Sequence, residues 1–191
     1  MRSILVLPVL AGLAACGGGG GAGDGNGGAP GDGSAGVSHA DQLRALDAAA
    51  ARLADLDLTG SLPASGSASY AGHLGASAVI DGAPVFVTAA VELTARFGSG
   101  TIFGSFANAR AADGTVDGGG EFANGTFGPA GIEAGVSGTL VRAGTTHAIA
   151  GDLRGAFLGP GAEAVVGAIE AGLSRGGVSS GSFDGEVWAE N

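Results

Sequence analysis

Residues 85–97 read Val85-Phe86-Val87-Thr88-Ala89-Ala90-Val91-Glu92-Leu93-Thr94-Ala95-Arg96-Phe97. The odd positions are all apolar, and the even ones include Thr88, Glu92, Thr94 and Arg96. Side chains alternate across a strand, so this period of two marks a half-buried β-strand with one wet face. The same alternation recurs along the chain, giving expected strands at 67–80, 85–97, 101–110, 117–127, 132–143, 146–157, 163–174 and 179–188. Asp81-Gly82-Ala83-Pro84, Gly98-Ser99-Gly100 and Ala143-Gly144-Thr145 supply turns between them. Evenly spaced strands with tight connections lead to an all-β fold: an eight-stranded, up-and-down antiparallel β-barrel. A two-sheet sandwich is the alternative.

Composition sharpens this. Of 191 residues 41 are Gly and 38 are Ala, without the Gly-X-Y period of collagen. Five of the eight Phe stand two positions after a Gly, in Gly104-Ser105-Phe106, Gly120-Glu121-Phe122, Gly125-Thr126-Phe127, Gly155-Ala156-Phe157 and Gly181-Ser182-Phe183. Each such pair shares a sheet face, and a narrow barrel admits large inward rings only beside small neighbours. In the last strand one face is Ser180, Ser182, Asp184, Glu186 and Trp188. A lipid-facing wall requires an apolar band there, so the barrel is expected to sit in water.

The N-terminal third has a different character. Arg2 precedes an apolar run from Ile4 to Leu13 that is too short to span a bilayer, and Ala14-Ala15 then lead into Cys16, the only cysteine. Leu13-Ala14-Ala15-Cys16 resembles a bacterial lipobox. The resemblance implies a signal peptide over 1–15 and lipid attachment at Cys16: a diacylglycerol on sulfur, then a further acyl chain such as palmitate on the freed amine. More than one acyl chain gives stable anchoring. Residues 16–37 are Gly-rich and form an expected flexible tether, with an r.m.s. span of roughly 22–27 Å. Over 38–58, Ser38 and Asp41 form a capping-box pattern, and Leu43, Leu46, Ala50, Leu53 and Leu56 make a helical stripe, so one amphipathic helix precedes the barrel at 66–191.

Residues 155–169, Gly-Ala-Phe-Leu-Gly-Pro-Gly-Ala-Glu-Ala-Val-Val-Gly-Ala-Ile, carry a further resemblance. They are similar to the G-x-F-[YF]-G-P-x-A-x-E-[LV]-G-G-x-[FW] motif in the barrel domains of transferrin-binding protein B-like surface lipoproteins. Ser69-Tyr70-Ala71-Gly72 resembles the Tyr-x-Gly of that family's first barrel strand, and Gly125 to Ala130 a degenerate second turn. Leu158, Ala164, Val166 and Ile169 depart from the pattern at packing positions. The resemblance implies a surface-exposed lipoprotein of the outer membrane with a soluble barrel. Relatives of that family bind iron-loaded transferrin, haem carriers or complement regulators.

Chemistry-bearing residues are sparse. The chain has no Lys, which removes the phosphate-binding loop and Schiff-base chemistry. The net charge of −10 disfavours a nucleic-acid partner. His39, His73 and His147 do not stand at metal-ligand spacing, even with Tyr70 considered as a haem ligand, and no nucleophile elbow occurs. Asp113 with Asp117, and Asp184 with Glu186, belong to turns or a wet face. Phe86 and Trp188 point outward, either to an interface or to the N-terminal helix. The expectation is a non-enzymatic module without cofactor or metal, anchored by lipid, that binds a protein partner or small ligand, with iron, haem or other nutrient acquisition as the role the resemblance implies. A structural envelope lipoprotein without a ligand is the alternative.

Overall fold

The computed structural model describes residues 37–191; the expected signal peptide, Cys16 and the Gly-rich stretch up to Gly36 lie outside the described residues. Helix α1 spans His39–Leu53. Its start follows the capping pattern: Ser38 Oγ accepts the Asp41 N–H at 3.2 Å and donates to the Asp41 carboxylate at 2.6 Å. That hydroxyl, assisted by Arg44, holds the Asp41 carboxyl below its usual range. The helix stops at Leu53, short of the end of the apolar stripe. The chain then turns to run beside the barrel, where Leu58 forms a β-bridge with Leu158.

Eight strands follow: β1 Ser67–Ile80, β2 Ala83–Arg96, β3 Thr101–Ala111, β4 Val116–Gly128, β5 Gly131–Arg142, β6 Thr145–Leu158, β7 Ala164–Arg175 and β8 Val178–Glu190. Each pairs antiparallel with the next, and β8 returns to β1 from Ala71↔Glu190 to Ile80↔Gly181. The barrel is therefore closed, and the sandwich alternative falls. Pro84, expected in the first turn, belongs to β2 instead. Asp81 (φ 51°) and Gly82 (φ 79°) complete a two-residue hairpin turn by themselves, and Pro is tolerated at the beginning of a strand.

The alternation of residues 85–97 is realised as read. Val87, Ala89, Val91, Leu93 and Ala95 face a dry interior, while Glu92 and Arg96 face outward. Phe106, Phe122 and Phe183 are almost wholly buried, with Phe106 5.6 Å from Phe122 and 6.4 Å from Phe183 between ring centroids. Gly120 makes that possible: a Cβ there would stand 2.6 Å from Phe106 Cε1. Bulges at Asn108 (φ 56°) and Asn124 (φ 53°) add curvature. Both follow the same tripeptide, Phe106-Ala107-Asn108 and Phe122-Ala123-Asn124. Asn tolerates the left-handed conformation better than most residues.

One end of the barrel is covered. Thr59 N–H donates to the Phe157 carbonyl and Gly159 N–H to that of Asp57, both at 2.9 Å, which binds the linker after α1 to β6. Leu62 of that linker packs on the core. The loop between β6 and β7 folds inward there, so that Ala162 is fully buried and its carbonyl accepts the Tyr70 hydroxyl at 2.8 Å.

Candidate functional site

The interior is built to be full. Tyr70, Phe97 and Phe127 surround Phe157 with ring centroids 5.0–5.9 Å away, below the layer of Phe106, Phe122 and Phe183. Aromatic packing of this kind occupies the space in which other eight-stranded barrels hold a ligand. Two surface concavities lie outside this core.

The first lies between α1 and the outer face of β1, β2 and β8, with a volume of about 390 Å³. α1 is held on the wall by polar contacts as much as by apolar ones. Thr88 Oγ1 donates to Gln42 Oε1 at 2.7 Å, and Gln42 Nε2 donates to the Asn108 carbonyl at 3.0 Å. His39 Nδ1 donates to the Arg110 carbonyl at 3.0 Å. The bulge at Asn108 breaks the β2–β3 ladder there, and α1 takes up carbonyls beside the break. Further along, the Arg52 guanidinium makes a bidentate pair with Glu190 at 3.0 and 3.1 Å. Ala45, Ala48 and Ala49 line the helix side of the groove; Ala71, His73 and Ala90 are among its floor residues. His73 Nδ1 is closed off from water with no hydrogen-bond partner, and desolvation lowers the imidazole's pKa from its ordinary 6.5.

The second concavity, about 290 Å³, lies at the opposite end from the linker, beside the turns joining β1 to β2 and β7 to β8. A bulge after Leu173 leaves Ser180 as the unpaired residue of β8. Its Oγ is 2.9 Å from Nδ1 of the fully buried His147. His147 Nε2 faces Asp81 Oδ2 at 3.6 Å, and Arg175 reaches the same oxygen at 3.5 Å. The sequence gives no hint of this group, because its members come from three separate hairpins.

The other residues singled out in the sequence fall into place around these features. His73 faces outward and His147 inward, so the two lie on opposite sides of the wall. Asp113 accepts the Thr115 N–H and hydroxyl at 3.0 and 2.8 Å, which holds its carboxyl below the usual range. Asp117 pairs with Arg110, with the same effect on its titration. Both are turn-stabilising groups. Trp188 packs with Leu53, Leu56, Leu158 and Val166 under the end of α1, and Phe86 meets His39 edge-on at 6.2 Å. The outward aromatics thus flank the helix. Among the described residues no three His, Cys, Asp or Glu side chains converge as a metal site. Cys16 lies outside the described residues.

The outer wall carries charge at mid-height. Asp152, Glu170 and Asp184 stand in one cross-strand row over β6, β7 and β8, all exposed. Like charges directly opposite one another oppose pairing, and hydrocarbon would oppose them far more.

No protein-family model matches this chain, and no curated protein matches it. Among solved structures it is similar to a variant of transferrin-binding protein B from Haemophilus parasuis, described as a vaccine antigen, with 14% identity and a TM-score of 0.48. The alignment covers 70% of this chain and 28% of that one, so this chain matches less than a third of that structure's length.

Proposed function

We propose that this protein is a non-enzymatic binding module, tethered by lipid at Cys16 to the outer membrane and displayed at the cell surface, which captures a protein or small ligand with the outside of its barrel. The observation that carries the reading is the filled interior: Phe106, Phe122 and Phe183 occupy the barrel axis, leaving the outer wall and the turns as binding surfaces. The charged row on β6–β8 supports a barrel immersed in water, and the lipobox-like Leu13 to Cys16 with its Gly-rich tether supports an anchored one. The motif at 155–169 supports a role like that of surface lipoproteins that take up iron or haem.

The test is access. On intact cells, added protease or antibody should reach the barrel, and Cys16→Ser should abolish incorporation of labelled palmitate and release the chain from membranes. A barrel shielded until the outer membrane is opened would sink surface capture. Reproducible crosslinks to a resident envelope protein, with nothing retained from serum or haem-containing medium, would point to a structural role instead.

A further inference from the structure

The register of β2, β1 and β8 places Glu92, Ala71 and Glu190 in one row across the outer wall: Ala71 pairs with Glu92 on one side and with Glu190 on the other. Neighbouring strands lie about 4.8 Å apart, so Glu92 and Glu190 flank Ala71, about 10 Å from each other at the backbone. α1 crosses this frame but fills only half of it. Arg52 reaches down to Glu190 with a bidentate guanidinium. Among the described residues Glu92 has no cationic partner, although it lines the same groove. The space between is walled by the methyls of Ala45, Ala48 and Ala49 and floored by Ala71 and Ala90.

We infer that this groove seats one basic side chain, a lysine or arginine of a protein partner, with its head on Glu92 and its aliphatic stem over the alanine methyls. The inference rests on the binding-module reading above and names the surface used. Three features fit that occupant. A volume of about 390 Å³ suits a single long side chain and its backbone rather than a folded element. A lysine or arginine carries an apolar stem and a charged head, which matches methyl walls ending at a carboxylate. The Arg52–Glu190 pair, bound side-on through Nε and Nη2, shows that a strand carboxylate of this row accepts a guanidinium, so Glu92 has a working counterpart beside it. Desolvation lowers the His73 pKa from its ordinary 6.5, which disfavours a competing charge there at neutral pH. The chain's own charge of −10 draws a basic partner in from a distance.

The experiment uses the chain carrying Cys16→Ser and two probes: the blocked pentapeptide Gly-Gly-Lys-Gly-Gly and the same peptide with an Nε-acetylated lysine. Backbone amide shifts are followed by NMR during titration. The lysine peptide should move the amides of 71–73 and 90–92 in a saturable way, and the acetylated peptide should leave them in place. Glu92→Gln and, separately, Ala48→Leu, which fills the groove from the exposed side of α1, should each weaken the response at least about tenfold. Unfolding midpoints equal to the parent's would show that both variants keep the fold. Shifts spread along Asp152, Glu170 and Asp184, or shifts insensitive to both substitutions, would overturn the groove as the seat, as would no response to either peptide. Because the titration makes no use of cells, its failure would leave surface display standing, and shielding of the barrel in cells would leave the groove standing.

Discussion

Thr88 Oγ1 donates to Gln42 Oε1 at 2.7 Å, and neither side chain is exposed to solvent. This bond joins the outer face of β2 to the buried face of α1 at the point where the bulge at Asn108 opens the sheet. Replacing Thr88 with Val keeps the shape but strands the Gln42 oxygen in a dry contact. The expected cost is about 1–3 kcal/mol, the usual penalty for an orphaned buried acceptor. Limited proteolysis should cut within α1 sooner than in the parent, while the barrel remains resistant.

Gly75 lies under α1 on the outer face of β1. A Cβ there would run into Leu46 and stand 3.1 Å from Phe86 Cζ. Gly75→Leu should lift the helix from the wall at a cost of about 1–3 kcal/mol, as overpacking generally does. Tryptophan fluorescence reports it directly, because Trp188 is packed under the C-terminal end of the same helix. An unchanged spectrum and midpoint would show that α1 does not seat on Gly75.

Tyr70 ties β1 to the inturned loop at Ala162, and burial pushes its phenol up to about 12 from 10.0. The folded state therefore holds its proton where the unfolded chain gives it up. The contribution is complete below pH 10.0 and is lost as pH rises towards about 12. Tyr70→Phe should cost about 1–3 kcal/mol at neutral pH, by orphaning the Ala162 carbonyl, and should remove that part of the alkaline slope. Urea denaturation at a series of pH values measures both.

His73 acts with the opposite sign. Its pKa is lowered on folding by desolvation, so below 6.5 the unfolded chain binds a proton more readily than the folded one. Its effect is absent above that pH and destabilises increasingly as pH falls below it. The stability difference between parent and His73→Phe should therefore shift in favour of the variant on acidification. Equal acid slopes would show that His73 titrates alike in both states.

Asn108 holds a left-handed conformation, and its carbonyl receives Gln42. Asn108→Gly should be neutral within a few tenths of a kcal/mol, whereas Asn108→Val should cost about 1–2 kcal/mol for the forbidden φ. The valine variant should also loosen α1, read as faster amide exchange in residues 39–46.

The barrel was legible because its pattern is local. Alternation over Val85–Phe97, Gly before Phe, and Gly at the turns all depend on residues within a few positions of each other, and the strand boundaries follow them to within about two residues. Pattern and structure part where tertiary packing decides. Pro84 belongs to β2 because a two-residue turn is sufficient, and the apolar stripe of α1 runs through Leu43 and Ala50 although its buried positions are Gln42, Ala49 and Leu53. A polar residue at a dry helix position carries no sequence signal unless its partner, here Thr88, is known. The two Phe-Ala-Asn tripeptides were a usable signal for the bulges.

By itself, then, the sequence determined the strand count, the inward and outward faces and the helix start, since periodicity and capping are set by neighbouring residues. Tertiary structure decided which side chains meet. Glu92 and Glu190 lie 98 positions apart, and only closure of β8 onto β1 sets them on either side of Ala71. His147, Ser180 and Asp81 likewise meet only because three hairpins share one end of the barrel. Register across a closed sheet depends on every strand at once, so no local stretch of residues encodes it.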